Sequence, residues 1–203
     1  GQSLMVGLGK YTEAPTTDPA MCWEWDNATD GIVHLADPGD PQSTYKAQTG
    51  SPHPAMAIYL SDSATHPILM VRTAVGGTAL LQENNGNNGN WSPTGALFDN
   101  AVARANGAIS ALTTAGHTIA FVHVVWSLGY SDALHGNALE TFKAANSALV
   151  DRFRTALSQP GLKVYQELMY APKATPNQTV RDNCMLVRQA QLDSATETEG
   201  IEI

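Results

Sequence analysis

A chain of 203 residues is long enough for one domain that buries roughly 70% of the surface its unfolded form exposes. Its 17 glycines and 11 prolines, beside only 15% charged residues, describe a compact fold with long irregular loops. A formal net charge of −8 with 11 scattered Lys and Arg argues against a nucleic-acid partner, because that affinity rests on clustered positive charge. No apolar run approaches the ~20 residues that span a bilayer, so no membrane partner is expected. Cys22 and Cys184 lack CxxC spacing and a ligand cluster, which leaves one bridge or two buried thiols open.

Gly1-Gln2-Ser3 opens the chain, and a serine among backbone-permissive residues suits a strained turn that presents a hydroxyl. Tyr11 to Thr49 is rich in Pro, Asp, Gly and Thr without a sustained period and reads as a long excursion, of the kind that shapes the mouth of a site. Pro54 to Leu60 starts a helix. The apolar run from Ile68 to Val75 reads as a buried strand ended by Gly76-Gly77. A helix-start signal at Ser92-Pro93 is followed by Leu97, Ala101, Ala105, Ala108, Ile109 and Leu112 at helical spacing, and Gly116 ends that helix.

Thr118 to Trp126 is again continuously apolar, as in a strand covered on both faces. Ala138 to Leu157 carries Leu139, Phe142, Ala145, Leu149, Val150, Phe153 and Leu157 on one stripe, and Pro160-Gly161 stops it. Leu162 to Tyr170 supplies a further strand, Gln178 to Leu192 a last helix, and Gly200 to Ile203 the start of another strand. The βαβαβαβ order predicts a three-layer α/β/α sandwich around a mainly parallel sheet, with ligands at the carboxyl ends of the strands.

Three glycine-bearing polar motifs fall where such a crevice would form: Gly1-Gln2-Ser3, Gly76-Gly77-Thr78, and Trp126-Ser127-Leu128-Gly129-Tyr130-Ser131-Asp132. In this order, across almost the whole chain, they resemble the sialate O-acetylesterase type of carbohydrate esterase within the SGNH hydrolases. There the motifs read approximately GQSN, GGT and W-H-Q-G-E-x-D, with a D-x-x-H near the C-terminus. The resemblance implies one SGNH-like esterase domain over residues 1–203, continuing at both ends, and an acetylated glycan as substrate. Ser3 would be the nucleophile that forms an acyl-enzyme. The Gly77 N–H would serve the oxyanion beside that of Ser3. Gln2, Thr78, Trp126 and Asp132 would surround the substrate. Read locally, each residue also has an ordinary use: Ser3 and Thr78 as helix caps, Gly77 as a strand-ending turn, Trp126 as packing, and Asp132 as a cap of the next helix.

Two positions depart from the pattern. Leu128 stands where the family's oxyanion glutamine is expected and Tyr130 where its glutamate is. Losing one such donor costs on the order of 10²–10³ in rate. Losing the triad histidine costs about 10⁶, and no histidine follows His135. Asp132-Ala133-Leu134-His135 has D-x-x-H spacing and makes His135 an alternative base, although the family places its pair after a later strand, here expected beyond residue 203. His34, His53, His66, His117 and His123 show no metal-binding spacing, and no phosphate or dinucleotide fingerprint is present, so no cofactor is expected. Asn84 to Trp91 reads either as a sugar-binding overhang or as a flexible connector. The competing class is a weak or inactive relative that serves as a carbohydrate-binding or structural module of a larger surface or phage-tail protein.

Overall fold

The computed structural model describes residues 11–18, 20–26, 29–37, 50–81, 89–137, 139–169 and 177–203. The chain divides into two compact units, Gly1–Gly76 with Ala103–Ile119, and Gly77–Val102 with Ala120–Ile203. Each has its own three-stranded sheet among the described residues.

In the first unit, strands β1 (Cys22–Asp26) and β2 (Gly31–His34) pair antiparallel, and β1 pairs in parallel with β3 (Ile68–Met70), giving the order β2-β1-β3. Helix α1 (His53–Ala64) makes the crossover between the parallel strands and packs on both of them. Its apolar residues complete a small core of Cys22, Leu35, Ala57 and Ile68, flanked by Met21, Ile58 and Met70.

A buried polar network adjoins that core. The Arg72 guanidinium lies 2.7 Å from a Glu24 carboxylate oxygen and 3.1 Å from Asp37, and it donates to the Ala36 carbonyl at 2.8 Å. Asp37 also accepts from the Ser51 N–H at 2.7 Å and its hydroxyl at 2.9 Å, and the His53 N–H donates to that hydroxyl at 3.3 Å. Two carboxylates on one guanidinium tolerate burial because each charge has an oppositely charged or N–H partner.

The second unit holds β4 (Val124–Trp126), β5 (Val164–Gln166) and β6 (Ile201–Glu202), all parallel, in the order β4-β5-β6. Helix α2 (Ala96–Thr114) begins in this unit. Helices α3 (Tyr130–His135) and α4 (Leu139–Ala156) connect β4 to β5, and α5 (Gln178–Glu197) connects β5 to β6. The stripe on α4 is buried at Phe142, Leu149, Val150 and Phe153, as a 3.6-residue period requires. Asn177 caps α5, its side-chain oxygen accepting from the Thr179 N–H at 2.9 Å.

Alternating strands and helices with parallel pairing make this the α/β fold that the sequence order predicts. Three expectations are corrected in detail. The stretch read as an irregular excursion contains β1 and β2. The strand read as Ile68 to Val75 ends at Met70, two residues before the buried Arg72 turns to its carboxylates. The run from Thr118 to Trp126 pairs only from Val124, where β5 becomes its neighbour, and Phe121 and Val125 are exposed rather than covered on both faces. Cys22 and Cys184 are free, buried thiols.

His53 supplies a pH test. Its ring is buried with Nδ1 unpartnered among the described residues, and burial, then the Arg72 charge, lower its pKa to about 4, against an opposing pull from Asp37. The unfolded imidazole titrates near 6.5, so the unfolded chain binds the extra proton between the two values. Stability from this group is full above pH 6.5 and is lost as pH falls toward 4, by roughly 3 kcal/mol. Melting curves across this range should therefore show a shallower acid loss for His53→Gln than for the wild type. Parallel slopes would rule His53 out as the source.

Candidate active site

The segment after Gly76-Gly77 is held from three directions within the second unit. Gly77 sits at φ 70°, in the left-handed region where an L side chain is strained. It is exposed, and its N–H has no internal partner among the described residues. Thr78 is buried, and its hydroxyl accepts from the Trp91 indole N–H at 3.1 Å. Ala79 bridges Asn90 in parallel, with the Trp91 N–H donating to the Ala79 carbonyl at 3.0 Å. The N–H groups of Leu80 and Leu81 donate to the two oxygens of Asp132, at 3.0 and 3.1 Å. Asp132 is fully buried and also accepts from the Asn137 amide at 3.3 Å. A carboxylate from the third motif thus clamps the chain that leaves the second.

The far side of this clamp is equally ordered. The Arg152 guanidinium donates to the carbonyls of Trp91 and Ser92, at 2.9 and 3.1 Å, while lying 3.9 Å from the Phe98 ring centre. Asn90 turns its side-chain oxygen onto the Ser92 N–H and hydroxyl, at 3.1 and 2.7 Å. Trp91 meets Trp126 edge to face, with ring centres 5.1 Å apart.

Trp126 ends β4 buried, and its indole N–H has no partner among the described residues. The next residue, Ser127, is buried and donates its hydroxyl to Glu167 Oε2 at 2.6 Å. Leu128 lies in the core. Gly129 has φ 128°, and a Cβ there would come within 2.7 Å of Val187 Cγ1, so only glycine fits between β4 and α5. From α5, the buried Gln191 accepts from the Met169 N–H at 2.7 Å. Its amide donates to the carbonyls of Leu128 and Glu167, at 3.1 and 3.3 Å. One amide therefore joins the loops that follow β4 and β5.

The structure brings Gly77, Thr78, Trp126 and Asp132 into this one unit. Ser3 and Gln2 lie outside the described residues, as do Asn84 to Asn88. Asp132 was expected beside the substrate or as a helix cap, and it instead braces the backbone, because its two oxygens face Leu80 and Leu81. Thr78 and Trp126 are likewise buried rather than open to a ligand. His135 is exposed at the end of α3, and no hydrogen bond joins it to Asp132, so the D-x-x-H spacing does not assemble a pair here. Asn90 and Trp91, at the end of the loop read as a sugar overhang or connector, are buried struts. Among the described residues no three His, Cys, Asp or Glu side chains converge as a metal site.

Glu167, Gln191 and Arg152 are not readable as site residues from the sequence. Only Glu167 carried a signal, a carboxylate one residue past a strand end; Gln191 and Arg152 sit within helical stripes and look like solvated polar positions.

The model of the family described as carbohydrate esterase, sialic acid-specific acetylesterase, matches residues 1–202. The chain belongs to this esterase family. As a member, it is a hydrolase acting on ester bonds. Its fold is similar to that of a crystal structure from Arabidopsis thaliana, with TM-score 0.71 and 20% identity over all of this chain and 81% of that one. No curated protein matches the sequence.

Two variants test the frame of this esterase. Asp132→Ala leaves the Leu80 and Leu81 N–H groups unpaired and buried, and should cost about 2–5 kcal/mol in urea unfolding. Gln191→Leu should cost about 2–4 kcal/mol by stranding Met169 N–H and two carbonyls. A loss under about 0.5 kcal/mol in either variant would contradict the assigned role.

Proposed function

We propose that this esterase removes O-acetyl groups from a carbohydrate through an acyl-enzyme on Ser3. The observation that carries the reading is the turn after Gly76. Gly77, an exposed residue whose N–H has no partner among the described residues, stands at the head of a segment that Asp132, Trp91 and Arg152 hold in place. An oxyanion donor has to be fixed before charge develops, and a braced backbone N–H meets that requirement at no reorganisation cost.

Ser3 Oγ attacks the acetyl carbonyl as a general base takes its proton, and the carbonyl oxygen becomes an oxyanion that accepts from Gly77 N–H. Collapse breaks the bond to the sugar oxygen, which receives that proton and leaves as the sugar hydroxyl; water, deprotonated by the same base, then attacks the acyl carbon, and acetate leaves as Ser3 Oγ is reprotonated. Leu128, buried in the core, contributes no side-chain donor, so the oxyanion relies on backbone N–H groups. Among the described residues no carboxylate hydrogen-bonds the His135 ring, which argues against it as the base. These same two features favour a second reading, a slow or inactive relative that binds glycans.

A fluorophosphonate probe and 4-nitrophenyl acetate separate the readings. Ser3→Ala should abolish labelling and lower turnover by about 10⁴–10⁶, whereas His135→Ala should leave turnover unchanged. Labelling that survives in Ser3→Ala removes the nucleophile assignment. Glycan binding by a protein that neither labels nor turns over ester supports the module.

A further inference from the structure

We infer that Trp91 is the positioning residue of the oxyanion turn: its two hydrogen bonds, to Thr78 and Ala79, fix the direction in which Gly77 presents its N–H. The inference rests on the proposed deacetylation through Ser3 and adds the group that tunes it.

Gly77 lies in a turn at φ 70°, outside any helix or strand, and glycine's wide dihedral map lets an unrestrained N–H swing. An oxyanion donor has to be aimed before charge develops, so a neighbour must set it. Trp91 acts on the two residues that follow. Its indole N–H donates to the Thr78 hydroxyl at 3.1 Å, and its backbone N–H donates to the Ala79 carbonyl at 3.0 Å. Thr78, Ala79 and Trp91 are each at most 2% exposed, so water offers neither bond a replacement. Asp132 acts farther along, at Leu80 and Leu81, and by itself would leave the backbone dihedrals of Thr78 and Ala79 unset.

Trp91 can position a neighbour because it is itself held. Its carbonyl accepts from Arg152 at 2.9 Å, Trp126 packs against its ring edge to face at 5.1 Å, and Asn90 before it bridges Ala79. The chain beyond closes tightly: the Gly95 N–H donates to the Ser92 carbonyl at 2.9 Å, and a Cβ at Gly95 would overlap the Asn90 backbone. A tryptophan suits the task, since its rigid ring carries a donor at the end away from its own backbone. Phenylalanine would fill much of the same space and lose that donor.

The test compares wild type, Trp91→Phe, Thr78→Val, Thr78→Ser and the Trp91→Phe/Thr78→Val double variant on 4-nitrophenyl acetate, with thermal melts of each. Trp91→Phe should lower kcat on the order of tenfold with little change in KM, because the donor is misaimed while the substrate still binds. Inhibition by phenylboronic acid, a mimic of the tetrahedral state, should weaken by a similar factor. Thr78→Val, which removes the acceptor, should match this loss and carries the test if Trp91→Phe does not fold. Thr78→Ser keeps the acceptor and should lose less. The double variant should be no slower than the slower single variant, since both remove one bond.

A kcat and a boronic acid affinity that stay at the wild-type level in folded Trp91→Phe and Thr78→Val would overturn the inference, as would a lowered melting temperature with no loss of kcat well below it. Losses that multiply in the double variant would overturn it too. Failure of the Ser3 mechanism reads differently: turnover would then survive Ser3→Ala, whereas an inactive Ser3→Ala beside a fully active Trp91→Phe removes the positioning role alone.

Discussion

The carboxylate of Asp132 is the interaction on which the rest of the candidate site depends. It is fully buried and accepts from two consecutive backbone N–H groups, Leu80 and Leu81. Those groups belong to no regular strand or helix, so without Asp132 they would be donors stranded away from water. The clamp therefore satisfies the backbone and, in the same bonds, fixes where the Gly77 turn stands relative to the end of β4. Packing alone would not do this, because apolar contacts tolerate sliding that a two-point hydrogen bond does not.

Buried polar groups repeat this solution elsewhere. Gln191 ties the loops after β4 and β5 to α5, and the amides of Asn146 and Gln166 pair reciprocally at 3.0 and 2.9 Å to join α4 to β5. Arg152 holds the carbonyls of Trp91 and Ser92 from α4. In the first unit Arg72 gathers Glu24 and Asp37. With strands of only two to five residues, ladder hydrogen bonds are few, and side chains take over the orientation of the loops.

The helices were legible in the sequence because each has a sustained apolar stripe and a recognisable stop. Leu97 to Leu112, Leu139 to Leu157 and Gln178 onward lie on the observed α2, α4 and α5, although α5 runs to Glu197. The strands were less legible. In β1 the alternation is broken by Glu24, which is buried at a position where a charge ordinarily signals solvent, because its partner Arg72 lies 48 residues away in the sequence. The short α3 escaped notice because six residues are too few to show a period.

By itself, the amino-acid sequence determined the α/β class, the order of the helices and the family, since periodicity and short ordered motifs are local properties. Only the tertiary structure decided what the motif residues do. Asp132 turned from a ligand contact into a brace, Thr78 and Trp126 went into the interior, His135 was left without its aspartate, and Glu167 emerged beside Ser127. The physical reason is common to all of them: a polar side chain's role is set by the donor or acceptor it meets, and that partner usually lies far along the chain.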